Sequence, residues 1–310
     1  MGERIPWEAT HITVAEDCTV VLRNAFDNFL LAEEFSWQLR IIEFICHNKV
    51  EKIESFAFCN CSDLIRVIMP GVREIEEHVF DGCHALTDVE CEKLEIIGVG
   101  AFNNCKSLTN INVSSARIVD QDAFCDCEAL VELNFGDKLE DISDYAFAGS
   151  ALERITIPLK GVLSFDALVG CEKLKQIDLV GGRYESIAAL YFEHWRNDMY
   201  EEINSINQIL PDIHGDAKLD DLDEGKAEMI KRWFSQSNYI DYDYGINHDV
   251  DKDEVIGGWL DSVFAKIDHY QAEHQRILNE AETTLQLALP RDIAVNNVLS
   301  FLKLPAHTFE

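Results

Sequence analysis

The chain has 310 residues, with 26 Lys and Arg against 57 Asp and Glu, a formal net charge of −31. That balance excludes a basic groove for nucleic-acid backbones and a basic face for anionic membranes, because both need clustered Lys and Arg. The charge is spread evenly: residues 183–310 carry 25 acids and 11 bases, net −14, and the first 182 residues carry the other −17. It favours solubility by self-repulsion and admits a basic protein partner. Residues 1–17 hold Glu3, Glu8, Glu16 and Asp17 with no apolar core, and no apolar run approaches the ~20 residues of a membrane helix. The expectation is an intracellular protein, cytoplasmic or nuclear, whose ten cysteines are reduced thiols.

In chain order, His11-Ile12-Thr13-Val14 reads as a strand, and Asn24-Ala25-Phe26 as the first copy of a phrase that returns later. Phe26 to Phe58 is longer than any later interval, so residues 1–49 are expected to form an atypical N-terminal repeat with an insertion within Phe35 to His47. From residue 50 to 182 the chain is periodic. Phe58, Phe80, Phe102, Phe124 and Phe147 follow at intervals of 22, 22, 22 and 23 residues, and Leu168 takes the slot 21 residues later. Cys61, Cys83, Cys105, Cys127 and Cys171 stand three residues beyond the slot, with Ser150 as the exception. Leu64, Leu86, Leu108, Leu130 and Leu174 come three further on, and Leu152 one residue early. A fixed period of roughly 20–29 residues marks a leucine-rich solenoid.

Each repeat has two apolar beats. The first is Leu64/Val67/Met69, Leu86/Val89/Cys91, Leu108/Ile111/Val113, Leu130/Leu133/Phe135, Leu152/Ile155/Ile157 and Leu174/Ile177/Leu179, whose last two members have strand spacing. The second is Val50/Ile53, Val72/Ile75, Leu94/Ile97, Val119 and Leu139/Ile142, each ending five residues before the aromatic slot. One coil is therefore a strand, a turn, a second short extended segment and an Ala-Phe-x-x-Cys corner. The phrase Ile53-Glu54-Ser55-Phe56-Ala57-Phe58-Cys59-Asn60-Cys61-Ser62-Asp63-Leu64-Ile65-Arg66-Val67-Ile68-Met69-Pro70 resembles the BspA-like class of leucine-rich repeats. Ile155-Thr156-Ile157-Pro158 closes another copy. The resemblance covers about residues 10–180 and implies a scaffold that binds other proteins or surfaces. Many members of that class lie outside cells, a role not carried over without an export signal. Repeats followed by an acidic helical tail are also similar to leucine-rich repeat proteins of diatoms.

Residues 183–310 are expected to form an acidic helical tail. Ile187, Leu190/Tyr191, His194/Trp195, Met199, Ile203, Ile206 and Leu210 predict a helix from Ser186 to Leu210, stopped by Pro211. Lys226 to Phe234 predicts a short helix. Residues 235–254 are acidic and aperiodic and are expected to be a disordered loop. Val263, Ile267, Tyr270, His274, Ile277, Ala281, Thr284 and Ala288 predict a longer helix from Trp259 to Leu289. The fold expected is an α/β repeat, a leucine-rich repeat solenoid followed by an α-helical region with a long helical hairpin.

Little in the sequence carries chemistry. Cys59-Asn60-Cys61 and Cys125-Asp126-Cys127 offer thiols for zinc, but Cys61 and Cys127 belong to the repeat. Asp249-Val250-Asp251-Lys252-Asp253 begins like a calcium loop and then has Glu254 where glycine is required and Leu260 where glutamate is required. His269 and Glu273 form an ordinary i,i+4 pair. No phosphate-binding glycine loop and no nucleophile elbow is present, so no enzyme, cofactor or metal is expected. Alternation instead puts Arg66/Ile68, Asp88/Glu90, Asn110/Asn112, Glu132/Asn134, Arg154/Thr156 and Gln176/Asp178 on one outward strand face. The function expected is a non-enzymatic protein–protein interaction scaffold, working through this face, the C-terminal helices, or both. One alternative is a ubiquitin-ligase substrate adaptor, because Leu289 to Leu302 looks like the opening of an F-box. A second is a zinc- or thiol-dependent protein.

Overall fold

The computed structural model describes residues 10–15, 18–26, 43–159, 163–182, 187–188, 190, 192–214, 217–236 and 250–288. Among the described residues the chain winds into parallel coils, six of which contribute one short strand to each of two faces, while the coils of β13 and β14 contribute strands to the first face alone. The first face runs β1 (His11–Thr13), β3 (Glu43–Ile45), β5 (Arg66–Ile68), β7 (Asp88–Glu90) and β9 (Asn110–Ile111) in that spatial order. It resumes as a separate sheet of β11 (Glu132–Asn134), β13 (Arg154–Leu159) and β14 (Gln176–Gly182). The second face is one unbroken sheet: β2 (Val20–Val21), β4 (Lys52–Ile53), β6 (Glu74–Ile75), β8 (Ile96–Ile97), β10 (Ile118–Val119) and β12 (Asp141–Ile142).

The register is that of equivalent positions. Arg66 aligns with Asp88, and Asp88 with Asn110. Like residues therefore stack on like, and the apolar beats become continuous ladders. Phe58, Phe80, Phe102, Phe124 and Phe147 are all fully buried. Their rings stack in a column with centroids 5.3, 5.2, 5.3 and 5.9 Å apart, extended at one end by Phe26, 4.8 Å from Phe58. Offset stacking of this kind adds to the gain from burial.

The corner that presents each phenylalanine needs two left-handed residues, one two positions before it and one two positions after. The first series is Asn24, Phe56, His78, Gly100, Asp122 and Tyr145; the second is Asn60, Gly82, Asn104, Asp126 and Gly149. Asn, Asp and Gly tolerate positive φ best, which explains their frequency there. Gly82 is doubly constrained: its φ is +72°, and a Cβ would stand 2.7 Å from the Asn60 amide oxygen of the preceding coil. The cysteines complete the corner. The thiols of Cys61, Cys83, Cys105, Cys127 and Cys171 donate to the carbonyls of Phe26, Phe58, Phe80, Phe102 and Phe147 at 3.0–3.3 Å.

Beyond β14 the described residues include the helices α1 (Glu193–Ile209), α2 (Glu224–Gln236) and α3 (Lys252–Ala288). α1 and α3 run antiparallel: Trp195 stacks on Tyr270 at 5.2 Å, and the indole of Trp259 donates to the Glu202 carbonyl at 2.9 Å. The hairpin expected from sequence is thus formed, with α2 packed alongside. The helix boundaries differ. α1 begins at Glu193 because Phe192 is extended (φ −90°, ψ 131°), and Pro211 sits in the 3-10 turn Leu210–Asp212 that follows it. α3 starts at Lys252, not Trp259, and carries Gly257 and Gly258 inside it. At Gly258 a Cβ would lie 3.1 Å from the Phe234 ring, so the glycine permits close approach of α2 and does not break the helix. Of the loop expected over 235–254, Ser235 and Gln236 belong to α2 and Lys252 to Glu254 to α3, while residues 237–249 lie outside the described residues. So does the F-box-like stretch 289–302, as does most of the N-terminal insertion. Among the described residues no helix is long and apolar enough to cross a membrane.

The helices close the C-terminal end of the solenoid. Asn207 on α1 uses its amide as a strand would: Oδ1 accepts from the Ile177 N–H at 2.8 Å, and Nδ2 donates to the Ile177 carbonyl at 3.0 Å. Lys252, expected in a solvated charge run, is buried instead. Its ammonium donates to the carbonyls of Glu172 and Leu174 at 2.5 and 2.8 Å, and burial holds its pKa down. One apolar cluster runs without interruption from Val21 through the coils to Ile267.

Replacing Phe102 with alanine removes the middle ring of the column and should cost about 3–5 kcal/mol, read as a lower urea midpoint. Cutting the chain after residue 182 uncovers the backbone edge of β14. The truncated chain should self-associate in light scattering where the full chain does not; a well-behaved monomer would show that the edge needs no cover.

Candidate functional site

The outward side chains of the first face form two rows. One reads Glu43, Arg66, Asp88, Asn110, Glu132, Arg154, Gln176 and the other Ile45, Ile68, Glu90, Asn112, Asn134, Thr156, Asp178. The structure places all twelve sequence-derived residues on this surface and adds Glu43 and Ile45 from the coil before them. Sequence reasoning missed that coil, although Ile41, Phe44 and Cys46 carry the same apolar spacing as Leu64, Val67 and Met69.

Much of the face is tied up in itself. Arg66 lies 3.3 Å from Asp88 and 3.9 Å from Glu43, and also pairs with Glu90. Asn110 donates to Asp88 at 3.0 Å. Further along, Asn134 donates to Glu132 at 3.0 Å and Thr156 to Asn134 at 2.8 Å. Arg154 donates to Gln176 at 2.6 Å and approaches Asp178 to 3.9 Å. These are exposed or half-exposed contacts in water, so they order side chains more than they stabilise the fold.

Between β9 and β11 the pattern breaks. Strand pairing continues behind it on the second face, from β10 to β12, but among the described residues none joins β9 to β11. The four side chains flanking this seam, Asn110, Asn112, Glu132 and Asn134, are all exposed; elsewhere on the face Glu90 and Arg154 are exposed, and Arg66, Ile68, Asp88, Thr156, Gln176 and Asp178 are half-buried. Backbone N–H and C=O groups that pair elsewhere on the face face each other unpaired across the seam, which makes them available for another hydrogen-bonding group. Nothing in the residue pattern announces the seam, because the 22-residue strand spacing from Ile111 to Leu133 is unbroken.

A second polar centre, also missed in the sequence, lies inside the helical cap. Glu202 on α1 is only 4% exposed. Its carboxylate accepts from the Trp233 indole at 2.8 Å, Ser262 at 2.9 Å, Arg232 at 2.9 and 3.0 Å and Lys266 at 3.1 Å. Burial opposes its charge, but the hydrogen bonds from Trp233 and Lys266 and the nearby Lys266 and Arg232 charges outweigh it, and its pKa is lowered. Glu202 thus pins α1, α2 and α3 together. Nothing in its neighbours Glu201 and Ile203 distinguishes it from a surface acid.

Several buried thiols are held in the protonated form. Burial drives the pKa of Cys83 and Cys105 well above the usual thiol value, and pushes Cys91 to about 12 and Cys171 to about 11. A ligand or nucleophile must be a thiolate, and these environments hold the proton. Among the described residues no group of three or more His, Cys, Asp and Glu could hold a metal ion. Glu273, paired in sequence with His269, bonds Arg276 at 2.8 Å instead.

This geometry defines a class: a leucine-rich repeat solenoid of parallel coils, closed at its C-terminal end by helices. The chain matches the BspA type Leucine rich repeat region (6 copies) over residues 29–118 and 95–210, and it belongs to that family. Among solved structures it is similar to a leucine-rich repeat protein of T. pallidum, with 24% identity over 49% of this chain and 84% of that one, at a TM-score of 0.39. A leucine-rich repeat protein from Bacteroides ovatus aligns with 17% identity over 57% of this chain and 70% of that one, at 0.32. One from Eubacterium ventriosum aligns with 17% identity over 45% and 32%, at 0.31. No curated protein matches.

Glu202→Ala leaves the Trp233 N–H without its acceptor and a void between three helices, so it should cost about 2–4 kcal/mol. The pH dependence has a defined sign. A carboxyl whose pKa is lowered on folding stabilises above its unfolded pKa and loses that contribution as pH falls through the folded value. The difference in melting temperature between native and Glu202→Ala chains should therefore be full at neutral pH and shrink on acidification. A difference that is constant with pH would mean the carboxylate charge contributes nothing.

Proposed function

We propose that the chain is a non-enzymatic protein-binding scaffold whose binding surface is the first strand face, centred on the seam between β9 and β11. The single observation that carries this reading is the cluster of exposed polar side chains, Asn110, Asn112, Glu132 and Asn134, around an unpaired step in a rigid sheet. The leucine-rich repeat fold is consistent with this use. Binding would come from display of side chains at fixed one-per-coil spacing, with no covalent step. The rigid backbone supports this, since partners need not order the surface they meet. The helices serve this reading as a cap: Asn207 and Lys252 bond the last coil of the solenoid, and the buried Glu202 joins the three helices to one another.

The test is affinity purification from the native organism with three full-length baits. One is native, one carries Asn110→Ala, Asn112→Ala, Glu132→Ala and Asn134→Ala, and one carries Glu128→Ala and Glu140→Ala away from this face. Circular dichroism should find all three equally folded. The reading expects the partners of the native bait to stay with the third and leave the second. Retention of every partner by the second bait would move the binding surface elsewhere.

A further inference from the structure

Resting on the strand-face reading, we propose that the seam receives an arginine side chain from a basic segment of the protein partner. The charge of the face points to a cation. Glu43, Asp88, Glu90, Glu132 and Asp178 stand against Arg66 and Arg154, and both arginines are already engaged. Arg66 serves the three acids of the N-terminal coils. Arg154 is the neighbour of Glu132 in register, yet it turns away to Gln176 and Asp178. Among the described residues no ion pair reaches Glu132, whose hydrogen bond comes from the neutral Asn134 amide. The one carboxylate of the face left without a counter-charge therefore sits at the one place where the sheet is open.

The shape of the site selects guanidinium over ammonium. Asn134 holds Glu132 through Oε1, leaving Oε2 as an acceptor. Asn110 spends its Nδ2 on Asp88, so its amide oxygen is free to accept. With the unpaired carbonyls of β9 and β11 these acceptors are spread along a line, and a planar fork of five N–H donors can reach several at once. A lysine offers a compact, strongly hydrated charge that gains less from such spacing. The net charge of −31 draws basic segments toward the whole molecule, but only this site adds oriented acceptors.

The probe is a blocked peptide of alternating serine and arginine, titrated into isotopically labelled full-length chain at about 0.15 M salt, where diffuse attraction is screened beyond a Debye length. A serine–lysine peptide of equal length is the comparison. Saturable shifts are expected at the amides of 109–113 and 131–135, with the arginine peptide about fivefold or more tighter than the lysine one. Glu132→Gln should weaken it about tenfold, and Glu140→Gln, whose carboxylate already pairs with Arg117 at 2.8 Å, should leave it unchanged. Equal binding of the two peptides, or equal losses from Glu132→Gln and Glu140→Gln, would reduce the interaction to diffuse attraction and overturn the proposal. Absence of saturable shifts at the seam would overturn it too. The strand-face reading stands apart from that result: it fails only if the native partners survive the quadruple alanine change.

Discussion

No coil of this protein can bury its own edges, and everything else follows from that constraint. A single repeat contributes one phenylalanine, one leucine and two short strands, too little apolar surface to offset the entropy of ordering about 22 residues. Stacking in register supplies what is missing. Each ring is covered by the next, each strand borrows its hydrogen bonds from its neighbour, and each cysteine thiol ties its corner to the preceding phenylalanine carbonyl. Stability is thus a sum over interfaces between coils, and the terminal interfaces become the problem.

The chain solves the C-terminal problem with helices. A further strand beside β14 would need donors and acceptors in the right places, and Asn207 provides one of each from a single side chain. Lys252 quenches two further carbonyls of the last coil. Both residues are polar and unremarkable in sequence, and the second lies in a stretch of five charged or short residues that reads as solvated. Burial disfavours the ammonium and lowers its pKa, and two hydrogen bonds to backbone oxygens offset part of that cost. The pinning of α1, α2 and α3 by Glu202 keeps these two groups aimed at the solenoid.

The solenoid was legible in sequence because its information is periodic: five phenylalanines, five cysteines and six pairs of apolar strand residues repeat the same statement. The two long helices were legible for the same reason. What escaped was singular. Glu202, Asn207 and Lys252 each act once, through partners 30 to 80 residues away, and no local pattern encodes such pairing. Helix ends failed where tertiary packing overruled local chemistry, as at Gly258, which a propensity argument places outside a helix and a neighbouring Phe234 ring places inside one. The twelve strand-face residues could be assigned to a surface from alternation alone. Where that surface opens could not, since residues on both sides of the seam keep the regular spacing.

In-register stacking also governs what the face can display. Equivalent residues on adjacent coils stand one strand spacing apart, about 4.8 Å, so identical charges in one row would repel along its whole length. The row Glu43, Arg66, Asp88, Asn110, Glu132, Arg154, Gln176 obeys this rule, alternating sign or interposing an amide at every step. A face built this way neutralises itself as long as each arginine can reach acids on neighbouring coils. Arg66 does so on both sides. Arg154 turns only toward the later coils, and Glu132 is left at the edge of a divided sheet. The same stacking that makes the solenoid stable therefore leaves unspent hydrogen-bonding capacity and unspent charge at one point of an otherwise self-satisfied face.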